Sequence, residues 1–247
     1  MLHLFADPSD VQDELLTITG PEVNHIRNVM RLKPGEEISV SIGGDGKEYR
    51  YGIESYTEDS VLCRLRFVKD KEVELPVKVL LFQGLPKADK MDLIVQKAVE
   101  LGVYEIVPVM MKRCVVKLSE EKKIQKKTQR WQAIAESAAK QCDRGIVPVV
   151  HAPVTMEQAF DMASTLEYNM IPYELQDGIQ VSRQIVEEAC SRQSVGIFIG
   201  PEGGLEKDEV EKAMEIGVKP ITLGKRILRT ETAGMALISI MMFQLQK

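Results

Sequence analysis

Two rhythms of apolar residues divide this chain. Up to about residue 70 the pattern is mostly alternation with a period of two. Glu37–Ile42 alternates polar and apolar after Pro34-Gly35, Tyr49, Tyr51 and Ile53 resume the alternation, and 61–68 repeats it. Such stretches predict half-buried strands. Gly43-Gly44-Asp45-Gly46 between two of them predicts a turn, because these residues tolerate positive φ. One helix is expected to interrupt, over 21–32, with Val23, Ile26, Val29 and Met30 as its apolar stripe and Pro34-Gly35 as its stop. Short strands at this spacing suggest a small barrel.

From residue 77 the rhythm changes. Apolar runs at 77–82, 106–110, 168–171, 195–199 and 220–223 predict buried strands, with helical stretches near 89–101, 128–141, 182–190, 206–216 and 231–243. Strands alternating with helices argue for a mostly parallel sheet covered on both faces, and ligands of such sheets bind beyond the carboxyl ends of strands. The charged segment 69–76, ending in Pro76, reads as the boundary, giving domains 1–73 and 74–247. The last helix is apolar nearly all round from Met235 to Phe243. That predicts burial, in a twofold dimer interface or in the chain's own core.

Composition adds little, and charge adds more. The 247 residues are 44% apolar and 28% charged, an ordinary globular balance that excludes disordered and fibrous classes. The formal net charge is −5, but residues 1–75 carry 9 basic groups against 15 acidic, 76–145 carry 14 against 8, and 146–247 carry 9 against 14. A basic middle can present a positive face on an acidic protein, and the bland alternative is a solvated helix surface. Four scattered cysteines without a CxxC pair, and three histidines without close partners, point to reduced core thiols and to no metal site. The opening residues lack a signal-peptide pattern, and no apolar run is long enough to span a bilayer. A cytoplasmic protein is expected.

Two segments stand out as chemistry, each following a strand. Gly200-Pro201-Glu202-Gly203-Gly204 joins a buried strand to a helix, and its glycines let backbone approach a ligand closely. A tight turn is the plain alternative, but this loop is denser in glycine than a turn needs. Leu223-Gly224-Lys225-Arg226-Ile227-Leu228-Arg229-Thr230-Glu231-Thr232-Ala233 then enters the last helix, with Thr230 expected as its cap and Glu231 in its first turn. The P-loop spacing fails at Gly217 to Gly224-Lys225, no Gly-x-Ser-x-Gly elbow or His-Glu-x-x-His exists, and Gly43–Gly46 has no helix after it.

Taken together the two loops resemble the signature of the bacterial 16S ribosomal RNA uracil-N3 methyltransferases, of the SPOUT trefoil-knot superfamily. Asn24-His25-Ile26-Arg27-Asn28-Val29-Met30-Arg31 resembles that family's amino-terminal helix, and Lys87 to Val103 its first catalytic-domain helix. Arg113 and Gln141-Cys142-Asp143-Arg144 match its basic positions on the RNA side. The resemblance implies a small PUA-like β-barrel on a trefoil-knotted α/β domain that binds S-adenosylmethionine and dimerises. It implies cofactor contacts at Tyr173, Glu174, Gly200, Pro201, Glu202, Gly203, Gly204, Leu223, Gly224, Ile227, Leu228, Thr230 and Ala233. It implies RNA contacts at Asn24, His25, Arg27, Arg31, Lys87, Lys90, Arg113, Lys117, Gln141 and Arg144. Arg229 would stabilise the uracil imide as it loses its proton and Glu231 would orient it or take the proton. For Glu231 a plain helix-dipole role weighs equally. The expected partner is the 16S ribosomal RNA of the small subunit. Three other readings stay open: ribose 2′-O-methylation on the same fold, a non-catalytic RNA-binding or ribosome-assembly protein, and a nucleotide-binding enzyme.

Overall fold

The computed structural model of the chain describes residues 1–173 and 178–246. They fall into two units, one made of Met1–Glu74 with Ala139–Val147 and the other of the remaining described residues.

In the first unit the alternating stretches pair as expected. β4 (Glu37–Ile42), β5 (Lys47–Tyr56) and β6 (Ser60–Asp70) form an antiparallel meander. β3 (Leu15–Thr19) adds to β6, β2 (Val11–Gln12) adds to β3, and β1 (His3–Ala6) lies parallel to β4 at the other edge. Period-two alternation turns Leu16, Ile18, Ile38, Val40, Tyr51, Ile53, Val61 and Cys63 to one side, where they form a core with Leu4, Val23 and Ile26.

The helix expected over 21–32 is shorter and differently wound. A single α-turn, α1 (Pro21–Asn24), passes into a π-turn over His25–Val29, with Met30 N–H donating to His25 O. Val23 and Ile26 are buried, but Val29 and Met30 are 60% and 45% exposed. The widened turn carries them off the core face.

Residues 139–147 belong to this unit, not to a contiguous 74–247 domain. The holding groups are polar. His3 Nε2 donates to Arg144 O (3.1 Å), Lys71 Nζ reaches Asp143 (2.8 Å), and Lys140 reaches Glu22 (2.6 Å). The Arg144 guanidinium grips the Glu74 carboxylate, Nε lying 3.0 and 2.9 Å from its two oxygens, while Gly145 N–H donates to the same group (2.9 Å). Burial and then the Lys71 charge push the His3 pKa down, which keeps the ring neutral. Arg144, expected at an RNA surface, has a side chain only 5% exposed and is committed to Glu74. This corrects its assignment, because a buried, paired guanidinium offers RNA no donor.

The second unit follows the strand–helix alternation. β7 (Lys78–Gly84), β8 (Glu105–Met110), β11 (Tyr168–Pro172), β12 (Ser194–Ile199) and β13 (Lys219–Ile221) sit in the order β8-β7-β12-β11-β13, all parallel. Two short strands, β9 (Val149–Val150) and β10 (Val154–Thr155), add to β8. The helices are α2 (Lys90–Glu100), α3 (Glu121–Gln141), α4 (Met156–Ala163), α5 (Ile179–Ala189), α6 (Lys207–Glu215) and α7 (Thr230–Leu245). α3 begins seven residues before the expected 128. α2 buries Met91, Ile94, Val95, Ala98 and Val99, the face its sequence spacing marks, and packs on α7. Phe82 and Phe198 stack with centroids 4.5 Å apart in the middle of the sheet. Among the described residues no helix is long and apolar enough to cross a membrane.

Arg144→Met should lower the unfolding free energy by about 2 kcal/mol in urea titration, because it strands the Glu74 carboxylate. Wild-type stability in that variant would mean that the pair holds nothing.

Candidate active site

Because every strand of the second sheet is parallel, all carboxyl ends leave from one edge. The loops after β11, β12 and β13 and the first turns of α2 and α7 enclose a cavity of about 400 Å³ there. Tyr173, Gly200, Pro201, Glu202, Gly203, Gly204, Leu223, Gly224, Ile227, Leu228, Thr230 and Ala233 all line it. Glu174 lies outside the described residues. The sequence reading left out Pro172, Ile199, Leu205, Thr222 and Arg226, which also contribute to the wall.

The glycine loop is built tightly. Gly204 N–H donates to Pro201 O (2.9 Å), closing a turn that needs φ +73° at Gly204. A Cβ on Gly203 would stand 3.0 Å from Arg113 Cβ, and one on Gly200 3.1 Å from Leu205 Cγ. Arg113 lies over this loop from the β8 side. Its Nη1 donates to Gly203 O (2.8 Å), while Nε and Nη2 fork onto Glu206 (2.8 and 3.2 Å). That fork holds the Glu206 carboxyl below its ordinary pKa. Arg113 was expected to face RNA, and here most of its donors are spent on the loop. Glu206 and Glu209 cap α6 reciprocally.

The second loop supplies the opposite wall. Leu223 and Leu228 are half-buried, whereas Ile227 is 84% exposed at the rim with Arg226 and Arg229. Thr230 is not the cap of α7. The cap position is Arg229, in extended backbone and without a side-chain cap bond. Thr230 is the first helical residue, and its buried hydroxyl donates to Gly200 O (2.6 Å), tying the two loops together.

Arg229 lines the cavity; Glu231 is not among its lining residues and reaches it only through Lys90. Lys90 Nζ stands 3.0 Å from Glu202 Oε1 and 3.4 Å from Glu231 Oε2, so one cation bridges a carboxylate from each loop. Glu202 also accepts the Lys87 N–H (3.0 Å). Burial pushes the Glu202 pKa up, but these hydrogen bonds outweigh it and leave the carboxyl below its ordinary value. Lys90 is raised in turn, chiefly by Glu202. It was expected among the RNA contacts, and its position marks it as a member of the cavity.

The other candidate RNA residues fall in two places. In the first unit Asn24, Arg31 and Gln141 are exposed and His25 is half-buried. Arg27 there stacks on Tyr56 (5.0 Å) and donates to Thr57 O and Glu58 O. In the second unit Lys87 and Lys117 are exposed.

Comparison with known proteins adds a family. Residues 73–242 match the family described as RNA methyltransferase domain, and residues 18–66 the one described as RNA methyltransferase PUA domain. The ribosomal RNA small subunit methyltransferase E of Bacillus subtilis (strain 168) is 38% identical over 231 residues, 92% of this chain and 90% of that protein. The protein of that name from Aquifex aeolicus (strain VF5) is 32% identical over 98% of this chain and 99% of its own. Among solved structures, a ribosomal RNA small subunit methyltransferase E from Neisseria gonorrhoeae bound to S-adenosyl methionine has a TM-score of 0.85 at 30% identity, over 99% of this chain and 98% of that one. A methyltransferase from Legionella pneumophila in complex with the same cofactor also has a TM-score of 0.85 at 30% identity, over 98% and 97%.

Lys90→Met should move the Glu202 carboxyl upward toward its ordinary value, because it removes one of the three donors that hold it down. A side-chain carbon NMR titration reads the shift, and an unmoved Glu202 would mean that the backbone donors of Lys87 and Glu202 set it.

Proposed function

The chain belongs to the ribosomal RNA small subunit methyltransferase E family, and on that footing we propose that it transfers a methyl group from S-adenosylmethionine to uracil nitrogen-3 in 16S ribosomal RNA. The observation that carries the reading is the cavity: the loops after β12 and β13, strands that flank β11, face each other across about 400 Å³, with Arg229 on the wall. That volume suits a small organic cofactor. The residues fit this one. Gly200 and Gly203 form a cradle that a Cβ would crowd, Leu223, Ile227 and Leu228 offer an apolar wall for an adenine, and loop backbone offers polar anchors.

S-adenosylmethionine, when bound, supplies an electrophilic methyl on a sulfonium. The chain's own part is to make the acceptor nucleophilic and to hold it in line. A neutral imide nitrogen is a poor nucleophile, so its proton has to leave. Arg229, exposed beside the cavity, stabilises the negative charge that develops on the uracil ring. Glu231, two residues further in the first turn of α7, takes the proton, and Lys90 keeps its carboxylate oriented. Nitrogen-3 is the base-pairing edge, so the target base enters unpaired.

RNA would be held by cations of each unit: Arg27 and Arg31 with Asn24, His25 and Gln141 on the first, Lys87 and Lys117 on the second. Such phosphate contacts position a substrate without reading its sequence. The substrate would be cytoplasmic ribosomal RNA of the small subunit. A homodimer is supported by α7, which buries Gly234, Leu237, Ile238 and Met241 yet leaves Ile240 45% and Phe243 82% exposed.

Calorimetry should show S-adenosylmethionine binding that Gly203→Val abolishes. Nucleoside mass spectrometry should show N3-methyluridine in 16S RNA restored to a deletion strain by the wild type. Arg229→Ala should cut turnover about a hundredfold and Glu231→Gln about tenfold or more. Near-normal turnover in both would sink the mechanism, and a ribose methyl in place of a base methyl would sink the specificity. Phe243→Asp should convert a dimer to a monomer in light scattering, and a wild-type monomer at micromolar concentration would refute the dimer.

A further inference from the structure

β7 leaves the sheet through a polar residue that the run of Val79 to Phe82 gives no reason to expect. Gln83 is fully buried and sits in register with Ile199 of β12. Its amide nitrogen donates twice, to Gly84 O (3.0 Å) and to Thr230 Oγ1 (2.8 Å). Its Oε1 is buried with no partner among the described residues. Turning the amide over would set that oxygen against the Gly84 carbonyl oxygen, two acceptors face to face, so the orientation is fixed by chemistry. Thr230 has one hydroxyl hydrogen, and it is given to Gly200 O (2.6 Å). The polarity therefore runs one way, from Gln83 through Thr230 to Gly200.

We propose that Gln83 is a positioning residue for the cofactor, acting through Thr230 to fix where the glycine loop stands relative to the loop before α7. Gly200 opens one wall of the cavity and Thr230 closes the other. Their hydroxyl–carbonyl bond sets the gap between those walls, and Gln83 sets the direction of that bond. Without the amide donor the Thr230 hydroxyl is free to rotate, and the bond to Gly200 becomes one of several it can make. A leucine or methionine at this position would escape the cost of an unsatisfied buried oxygen. The position carries that cost at the one point where strand, glycine loop and last helix meet. The same junction is tight by an independent measure, since a Cβ on Gly84 would stand 2.7 Å from Pro201 N.

This inference rests on the reading of the cavity as the S-adenosylmethionine site. The test is calorimetric titration of S-adenosylmethionine into the full chain, with steady-state kinetics and RNA affinity measured beside it. Gln83→Met, which keeps length and removes both polar atoms, should weaken cofactor binding about fivefold. Gln83→Glu should weaken it about tenfold or more, because a carboxylate accepts from Thr230 and turns its hydroxyl away from Gly200. The loss should appear in KM for the cofactor more than in kcat, with RNA affinity unchanged. Gln83→Met combined with Thr230→Val should bind no more weakly than Thr230→Val alone, since the two act on one bond. Wild-type affinity in both Gln83 variants, or strictly additive losses in the double variant, would overturn the proposal. Should neither Gln83 variant fold, Thr230→Val removes the amide's acceptor from the other end, and its binding as wild type would equally overturn it. A wild-type chain that binds no S-adenosylmethionine would overturn the cavity reading itself, a result distinct from any difference among variants.

Discussion

β7 and β12 run side by side for six residue pairs, from Lys78 with Ser194 to Gln83 with Ile199, with the Phe82 and Phe198 rings stacked across them. Both strands are buried along nearly their whole length, so a slip of one residue would turn every side chain to the wrong face. Parallel pairing then makes the two strands end together. Gly84 emerges beside Gly200-Pro201, and β11 and β13 finish at the same edge. The cavity is what the register leaves there. Its walls are chain segments that must start from adjacent points and diverge into different helices.

Strand ends fix where loops begin but not where they lie, and a loop rich in glycine has little side chain with which to hold itself. The holding groups come from elsewhere in the chain. Arg113, 90 residues from Gly203, binds that residue's carbonyl and forks onto Glu206. Lys90 joins Glu202 of one loop to Glu231 of the other, and Thr230 joins Gly200 to α7. In the first unit Glu74 and Arg144, 70 residues apart, do the same for the 139–147 segment. Two of these links, Thr230 to Gly200 and Arg144 to Glu74, tie down polar groups that would otherwise be costly to bury. The result is a rigid frame around a site whose glycines leave room for a ligand.

Much of this fold is visible in hydrophobic spacing. The period-two stretches became β4, β5 and β6, and the five apolar runs became the parallel strands β7, β8, β11, β12 and β13. The misses have physical reasons. α4 carries a readable signature, the Thr155-x-x-Gln158 capping box with Met156, Ala159 and Ala163 on one face, but its eight residues give a short window for a 3.6-residue period. The 25–29 segment has helical spacing and helical handedness, yet one extra residue in its turn sends Val29 and Met30 outward, and no apolar count foretells a π-turn. Thr230 has the chemistry of a cap, and the structure uses its hydroxyl for a bond to Gly200, 30 residues away. Such tertiary demands on a side chain are invisible to local rules.

Charge was the hardest part to read, for a related reason. The basic stretch 76–145 carries 14 cations, and sequence alone makes them look like one surface. The structure sorts them by partner. Arg144 is buried against Glu74, Arg113 lies across the glycine loop, Lys90 is held between two carboxylates, Arg130 pairs with Asp92, and Lys112 with Asp208. Those carboxylates lie between 38 and 141 residues from their cations along the chain, Asp92 with Arg130 at the short end and Glu231 with Lys90 at the long end. A guanidinium that must hold a loop carbonyl is spent, because a protein acceptor already takes the donors that a phosphate would need. Lys87 and Lys117, which stay exposed, keep that capacity. The acidic overall balance therefore says little about RNA binding in either direction. What decides it is which cations the fold has already used to stand its own loops upright.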